Sequence, residues 1–257
     1  MAQVLWCSGA RAPERGRPAF ESLSSGTLRY SAAVKRRIVA IGGGSTGEPL
    51  RDYVLTLSGR RRPRLLWVNT GMAEEPRSTL RGYDFFAGRA DVSILEFFPW
   101  PPQDLREFVL GHDIVFVGGG NPANMLAVWR VHGFDAIVRE AWDEGRVLAG
   151  SSGGMHGWFE ACVTDSFGPQ LEGMRDGLGF LPGSACAHFD DEELRRPFYR
   201  QLVDHQGFPA GYAADWGVGL SFVETELVEV VTARTDGALA YRIEPGRETP
   251  LDPRLLR

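Results

Sequence analysis

The chain has 257 residues, 43% of them hydrophobic and 24% charged, with a formal net charge of −5 at pH 7. That length suits one large α/β domain with a sizeable core, and the acidic balance excludes a global basic field for nucleic acid. No apolar run approaches the ~20 residues of a membrane span. Cys7, Cys162 and Cys186 form no CxxC or Cys/His metal pattern, so no metal and a reducing cytoplasm are expected.

Residues 1–36 begin MAQVLWCSGARAPERGRPAF and are rich in Arg, Ser, Gly and Ala. They lack a clear period and the consecutive apolar residues of a secretory signal, and read as a partly ordered extension before a single domain over 37–257. RIVAIGG (37–43) is a short apolar run ending in glycines, the pattern of a buried parallel strand. EPLRDYVLTLSG (48–59) has helical apolar spacing and a terminal glycine. PRLLWVNT (63–70) and VSILEFFP (92–99) are the next strands, the second ended by PWPP. DIVFVGGG (113–120) is another strand, NPANMLAVWRVHGFDAIVREAWDEG (121–145) reads as one or two helices, and RVLAG (146–150) is a strand again. Such alternation predicts a three-layer α/β fold, a mostly parallel sheet with helices on both faces. The β-rich runs VGLSFVETELVEVVTA and GALAYRIEP predict antiparallel strands completing that sheet.

Ligands of such sheets bind beyond the carboxyl ends of the strands, where three glycine-rich turns fall: 42–47, 118–120 and 150–154. Gly42, Gly44 and Gly47 fit G-x-G-x-x-G, but the following strand ends in Asn69-Thr70 without the carboxylate a dinucleotide ribose requires. Nucleotide binding is therefore the runner-up. Gly150-Ser151-Ser152-Gly153-Gly154 fits G-x-S-x-G at a strand-to-helix junction, the context of a nucleophile elbow. There small neighbours tolerate a strained serine, and the helix N-terminus stabilises developing negative charge. The N–H of Gly153, with Gly119 or Gly120 from the adjacent loop, predicts an oxyanion hole.

A serine nucleophile needs a base. His112 and His132 sit in helix-flanking apolar contexts, His205 reads as the end of a surface helix, and His156 follows Ser152 too closely to reach back to it. His188 in SACAHFDDE, after a run of small residues, is the expected base.

The segments VGGGNPANMLAVWRVHG (117–133), AGSSGGMHGWFEACVTDSFGP (149–169), GLGFLPGSACAHFDDEELRRPFY (177–199) and GYAADWGVGL (211–220) together resemble the dipeptidase E (aspartyl dipeptidase) family of serine peptidases. The resemblance runs from Arg37 to the C-terminus and implies a class I glutamine amidotransferase-like architecture. It implies Ser152 as nucleophile, His188 as general base, and Arg195, with Arg196 beside it, as reader of an acidic N-terminal side chain. A guanidinium suits that task because its fork holds both carboxylate oxygens. Asn121 and Trp216 are implied at the substrate.

The match departs from the family where small residues after the nucleophile give way to Met155 and His156, and where Trp216 replaces a carboxylate. Either Asp165 or Asp215 would then complete the triad, although Asp215 neighbours position 216 on a strand and should face the other side. The expected function is cofactor-free hydrolysis of a small peptide, Asp-X by family, with no nucleic acid or membrane partner and a homodimer as a candidate assembly. The competing classes are an impaired homologue that binds an acidic peptide or metabolite, and an acyl-transferring biosynthetic enzyme.

Overall fold

The computed structural model describes residues 35–44, 47–190 and 193–257. The extension expected over 1–36 lies outside them, apart from Lys35 and Arg36.

The chain opens with parallel β–α units: β1 (Arg37–Ile41), α1 (Glu48–Thr56), β2 (Arg64–Val68), α2 (Pro76–Phe86), β3 (Asp91–Leu95), α3 (Leu105–Leu110), β4 (Ile114–Val117), α4 (Pro122–His132), α5 (Phe134–Asp143) and β5 (Val147–Ser151). The stretch read as one or two helices is two, divided at Gly133, whose φ of 69° ends α4 and starts α5. There follow α6 (Gly153–His156), β6 (Phe159–Thr164), β7 (Glu172–Met174), β8 (Leu181–Cys186), α7 (Arg195–His205), β9 (Gly211–Ala214), β10 (Val218–Val223), β11 (Glu226–Thr232), β12 (Ala240–Glu244), β13 (Arg247–Leu251) and β14 (Arg254–Leu255).

The main sheet has the order β14-β11-β10-β1-β5-β4-β2-β3. Its run from β1 to β3 is parallel, while β10 pairs antiparallel with β1 and β11 antiparallel with β10. Strand alternation divides the core. Val39, Ile41, Trp67 and Phe116 pack with Leu50 and Val54 of α1 and Phe86 of α2. Ile38, Ala40, Val68 and Val117 pack on the other face with Trp129, Phe134 and Trp142 of α4 and α5. The molecule is an α/β protein with helices on both sides of this sheet.

One expectation needs correction. Only β10, β11 and β14 of the later strands extend the main sheet; the others form a second sheet, β13-β12-β9-β8-β6-β7. Its Phe159, Leu181 and Ala185 join the core on the α4/α5 face of the main sheet. Its opposite face packs on Tyr199, Leu202 and Val203 of α7. A strand buried on both faces reads alike in either sheet, so the division was not visible in the pattern. No described helix is long and apolar enough to cross a membrane.

Candidate active site

Close packing builds the elbow. β5 ends at Ser151 and α6 begins at Gly153, so Ser152 alone turns the chain, with φ 55° and ψ −116°. Such a φ is costly for a residue with a Cβ and persists only where the surroundings over-determine it. Here the Ser152 N–H donates to the Ile41 carbonyl at 2.9 Å, and the Ser152 carbonyl accepts from the His156 N–H at 3.1 Å. A Cβ on Gly150 would lie 2.3 Å from the Gly154 carbonyl oxygen, and one on Gly154 2.5 Å from that of Val117. Glycine at both ends of G-x-S-x-G is thus a packing requirement of the turn. The helix after it is a single turn, too short to supply the dipole expected from the sequence.

The second sheet brings His188 to the elbow. It lies just past β8, and its Nε2 is 2.8 Å from Ser152 Oγ. Like Ser152 it has a left-handed backbone, φ 54°, and its N–H donates to the Gly42 carbonyl at 2.8 Å. Two of the glycines that suggested a nucleotide loop have local work instead: a Cβ on Gly42 would lie 2.3 Å from the Asp215 carbonyl oxygen, and one on Gly44 1.9 Å from the Trp216 indole. Gly43 between them makes room for His188, whose ring would lie 2.3 Å from a Cβ there.

Gly119 faces the hydroxyl from the other side: a Cβ there would lie 3.2 Å from Ser152 Cβ and 3.5 Å from Oγ. Among the described residues, no acceptor takes the N–H of Gly119, Gly120 or Gly153, although their neighbours Gly118 and Asn121 donate to Val68 and Gly71 at 2.8 Å. Of these three, Gly119 is the one whose position adjoins the hydroxyl, Gly120 follows it in the loop, and Gly153 follows the serine in the chain.

Neither expected carboxylate reaches the base. Asp215 turns toward β12, where its Oδ2 accepts from the Leu239 N–H at 2.8 Å and its Oδ1 is buried without a partner. Burial, reinforced by Asp190, pushes its pKa up to about 6. Asp165 is 63% exposed and pairs with Arg195 at 3.8 Å. No hydrogen bond joins either one to His188. Asp215 lies just past the end of β9 and Trp216 in the turn that follows, so strand alternation does not apply to the pair; the turn sends one side chain to Leu239 and the other to His188.

The three residues implied at the substrate are also engaged within the protein. Arg195 is only 4% exposed and donates to the Val163 carbonyl at 3.2 Å, while Arg196 pairs with Glu248 and lies over Tyr241. Asn121 caps α4, accepting from the Asn124 N–H at 2.9 Å, and donates to the Ser166 carbonyl at 2.8 Å. Trp216 stays at the site, its ring centroid 5.1 Å from that of His188. It is clamped there: its N–H donates to Asp190 at 2.8 Å, and Arg234 bridges Asp190 and the Trp216 carbonyl at 2.7 Å each.

Sequence reasoning missed that clamp and the work of His156. The His156 Nε2 accepts from the Ala187 N–H at 3.0 Å, fixing the backbone beside His188. Its proton must then sit on Nδ1. Burial, with the charges of Arg195 and His188, holds the ring's pKa well below 6.5, so it is a neutral strut. His112 bonds the Phe108 carbonyl at 2.8 Å, His132 packs against Phe97 with ring centroids 5.2 Å apart, and His205 ends α7 on the surface.

This geometry sits in a chain whose residues 38–230 match the profile of peptidase family S51. YgaJ, an uncharacterized peptidase of Bacillus subtilis strain 168, is 42% identical over 214 residues, 81% of this chain and 92% of that one. The fold is similar to the crystal structure of a peptidase from an acI-B1 Actinobacterium, with TM-score 0.64 and 15% identity over 86% of this chain and 96% of that one. It is also similar to a structure described as a peptidase E protein from Listeria monocytogenes EGD-e, with TM-score 0.61 and 12% identity over 78% of this chain and all of that one (100%). At such identities the two structures speak for the fold, and the profile and the sequence relative speak for the family. The chain belongs to peptidase family S51.

Proposed function

We propose that the chain is a serine-type peptidase that cleaves small peptides, Asp-X dipeptides foremost, through an acyl-enzyme on Ser152. The observation that carries this reading is the 2.8 Å contact of Ser152 Oγ with His188 Nε2, made between two residues held at positive φ. Ser152 Oγ attacks the carbonyl carbon as His188 Nε2 takes its proton, and the N–H groups of Gly153 and of Gly119 or Gly120 receive the oxyanion. Protonated His188 then gives that proton to the leaving amine. Water, deprotonated by the same nitrogen, releases the acyl group.

The acidic preference rests on the family resemblance and on Arg195. Its buried guanidinium faces a carboxylate, Asp165, that is 63% exposed and only 3.8 Å distant, so a substrate carboxylate could exchange with it. One observation favours the binding-only reading: the Trp216 ring lies against His188, at the position where the resemblance implies an acid. The working site is assigned to the cytoplasm, without cofactor.

A fluorophosphonate probe followed by peptide mapping tests the mechanism. Labelling at Ser152, lost in Ser152→Ala, is expected of a serine hydrolase. An intact protein that stays unlabelled is a binder. Hydrolysis of Asp-X but not Glu-X or other dipeptides then tests the substrate class, and diversion of product by added amines marks an acyl transferase.

A further inference from the structure

A second opening adjoins the elbow on the α2 side of the main sheet. Trp67 and Phe116 are partners in the β2/β4 register and point to the same face. With Phe85 and Phe86 of α2 they line a cavity of about 300 Å³ that extends to Gly119 and Ser151, the neighbours of Ser152 in space and in the chain. The rings stack into one aromatic cluster, with centroids 5.7 Å apart for Trp67–Phe116, 5.0 Å for Phe86–Phe116 and 5.0 Å for Phe85–Phe86; Phe85 and the edge of Trp67 present the accessible part of it, with Phe116 and Phe86 packed behind. The volume is at the small end for ligand pockets, the size of one bulky side chain rather than a cofactor. Arg81 also lines it. Arg81 is exposed, and on its other side it lines a surface opening with Glu75 and Asp84.

We propose that this cavity is the subsite for the residue released from the substrate: a C-terminal residue with an apolar, preferably aromatic, side chain whose α-carboxylate pairs with Arg81. The inference rests on Ser152 being the nucleophile. Two physical points select the leaving residue over the acyl residue. With the side-chain carboxylate of an acidic acyl residue assigned to Arg195, the anion left for Arg81 is the free α-carboxylate of the leaving residue, which a guanidinium holds through two parallel hydrogen bonds. The acyl residue carries an ammonium group, which Arg81 repels. Aromatic walls add ring–ring contacts to the burial of an aromatic side chain, and glycine as leaving residue forgoes both.

The test compares Asp-Phe, Asp-Phe amide and Asp-Gly on the full-length protein and its Arg81→Ala and Arg81→Lys variants. The wild type is expected to cleave Asp-Phe at least tenfold more efficiently than Asp-Gly. Arg81→Ala should raise KM for Asp-Phe about tenfold with little change in kcat, leave Asp-Phe amide within about twofold, and be partly restored in Arg81→Lys. Equal use of Asp-Phe and Asp-Gly, or the same loss on the amide as on the acid, overturns the subsite. Calorimetric titration of Asp-Phe into Ser152→Ala, with and without Arg81→Ala, separates the two claims. Arg81-dependent binding without any Ser152-dependent turnover would sink the peptidase mechanism and keep the subsite. Turnover of Asp-Gly with no Arg81 effect on Asp-Phe would do the reverse.

Discussion

Asp215→Asn separates a structural carboxylate from a catalytic one. In the fold Asp215 is buried, with one oxygen on the Leu239 N–H and the other without a partner, and its pKa is pushed from the ordinary 3.8 to about 6, first by burial and then by Asp190. Between pH 3.8 and 6 the native state keeps a proton that the unfolded chain releases, so wild-type stability falls as pH rises through that window. Above it the cost is complete, about 3 kcal/mol at about 1.4 kcal/mol for each tenfold change in proton affinity. Asparagine carries no charge and keeps the acceptor for Leu239, but it leaves an amide N–H buried without an acceptor, which costs about 1 kcal/mol. The variant should therefore be about 2 kcal/mol more stable at pH 7.5, a rise in Tm of about 4–8 °C for a domain of this size. Below about pH 4 that gain disappears. Thermal melts from pH 3.5 to 8 read the first quantity, and Asp-X turnover at pH 7.5 reads the second. Turnover should stay within a few-fold of wild type. A loss near the ~10⁴-fold expected when a triad acid is removed would refute the geometric argument and return Asp215 to the active site. A stability difference independent of pH would refute the assignment of its strain to ionisation.

Three further outcomes are expected. Gly119→Ala places a methyl 3.5 Å from the Ser152 hydroxyl and should cut kcat/KM about tenfold or more, about 1.4 kcal/mol of barrier, with an unchanged melting profile; full activity would remove Gly119 from the site. His156→Phe leaves the Ala187 N–H buried without its acceptor and should destabilise by about 1–3 kcal/mol. Because the native ring resists protonation, the wild type loses stability as pH falls below the unfolded value of about 6.5, and melts of the variant should lack that component. Trp216→Ala removes an indole lying against His188 but 38% exposed; kcat should fall several-fold while Tm moves by no more than a few degrees, and unchanged kcat would leave the indole without a part in positioning the base.

Much of the site was legible because its demands are local. The turn at Ser152 tolerates only glycine at positions 150 and 154, where any Cβ meets a carbonyl oxygen, and that demand writes itself into a five-residue pattern. The strand before it and the glycine loop after β4 declare themselves in the same way. His188 was found by elimination and by resemblance rather than by geometry, since nothing in SACAHFDDE states that its backbone adopts φ 54°.

The sequence by itself determined the parallel β–α core, the elbow and the family, because steric patterns and hydrophobic periodicity are properties of neighbouring residues. Tertiary structure decided what depends on residues far apart in the chain. It made the later strands a second sheet, and that sheet carries His188 across 36 residues to the serine. It turned Asp215 toward Leu239, gave Arg195 the Val163 carbonyl and Asp165, and set Trp216 against the imidazole. The turn after β9 and the packing of one sheet on another fix which way these side chains point. A carboxylate one residue from the right place therefore serves a different face of the protein.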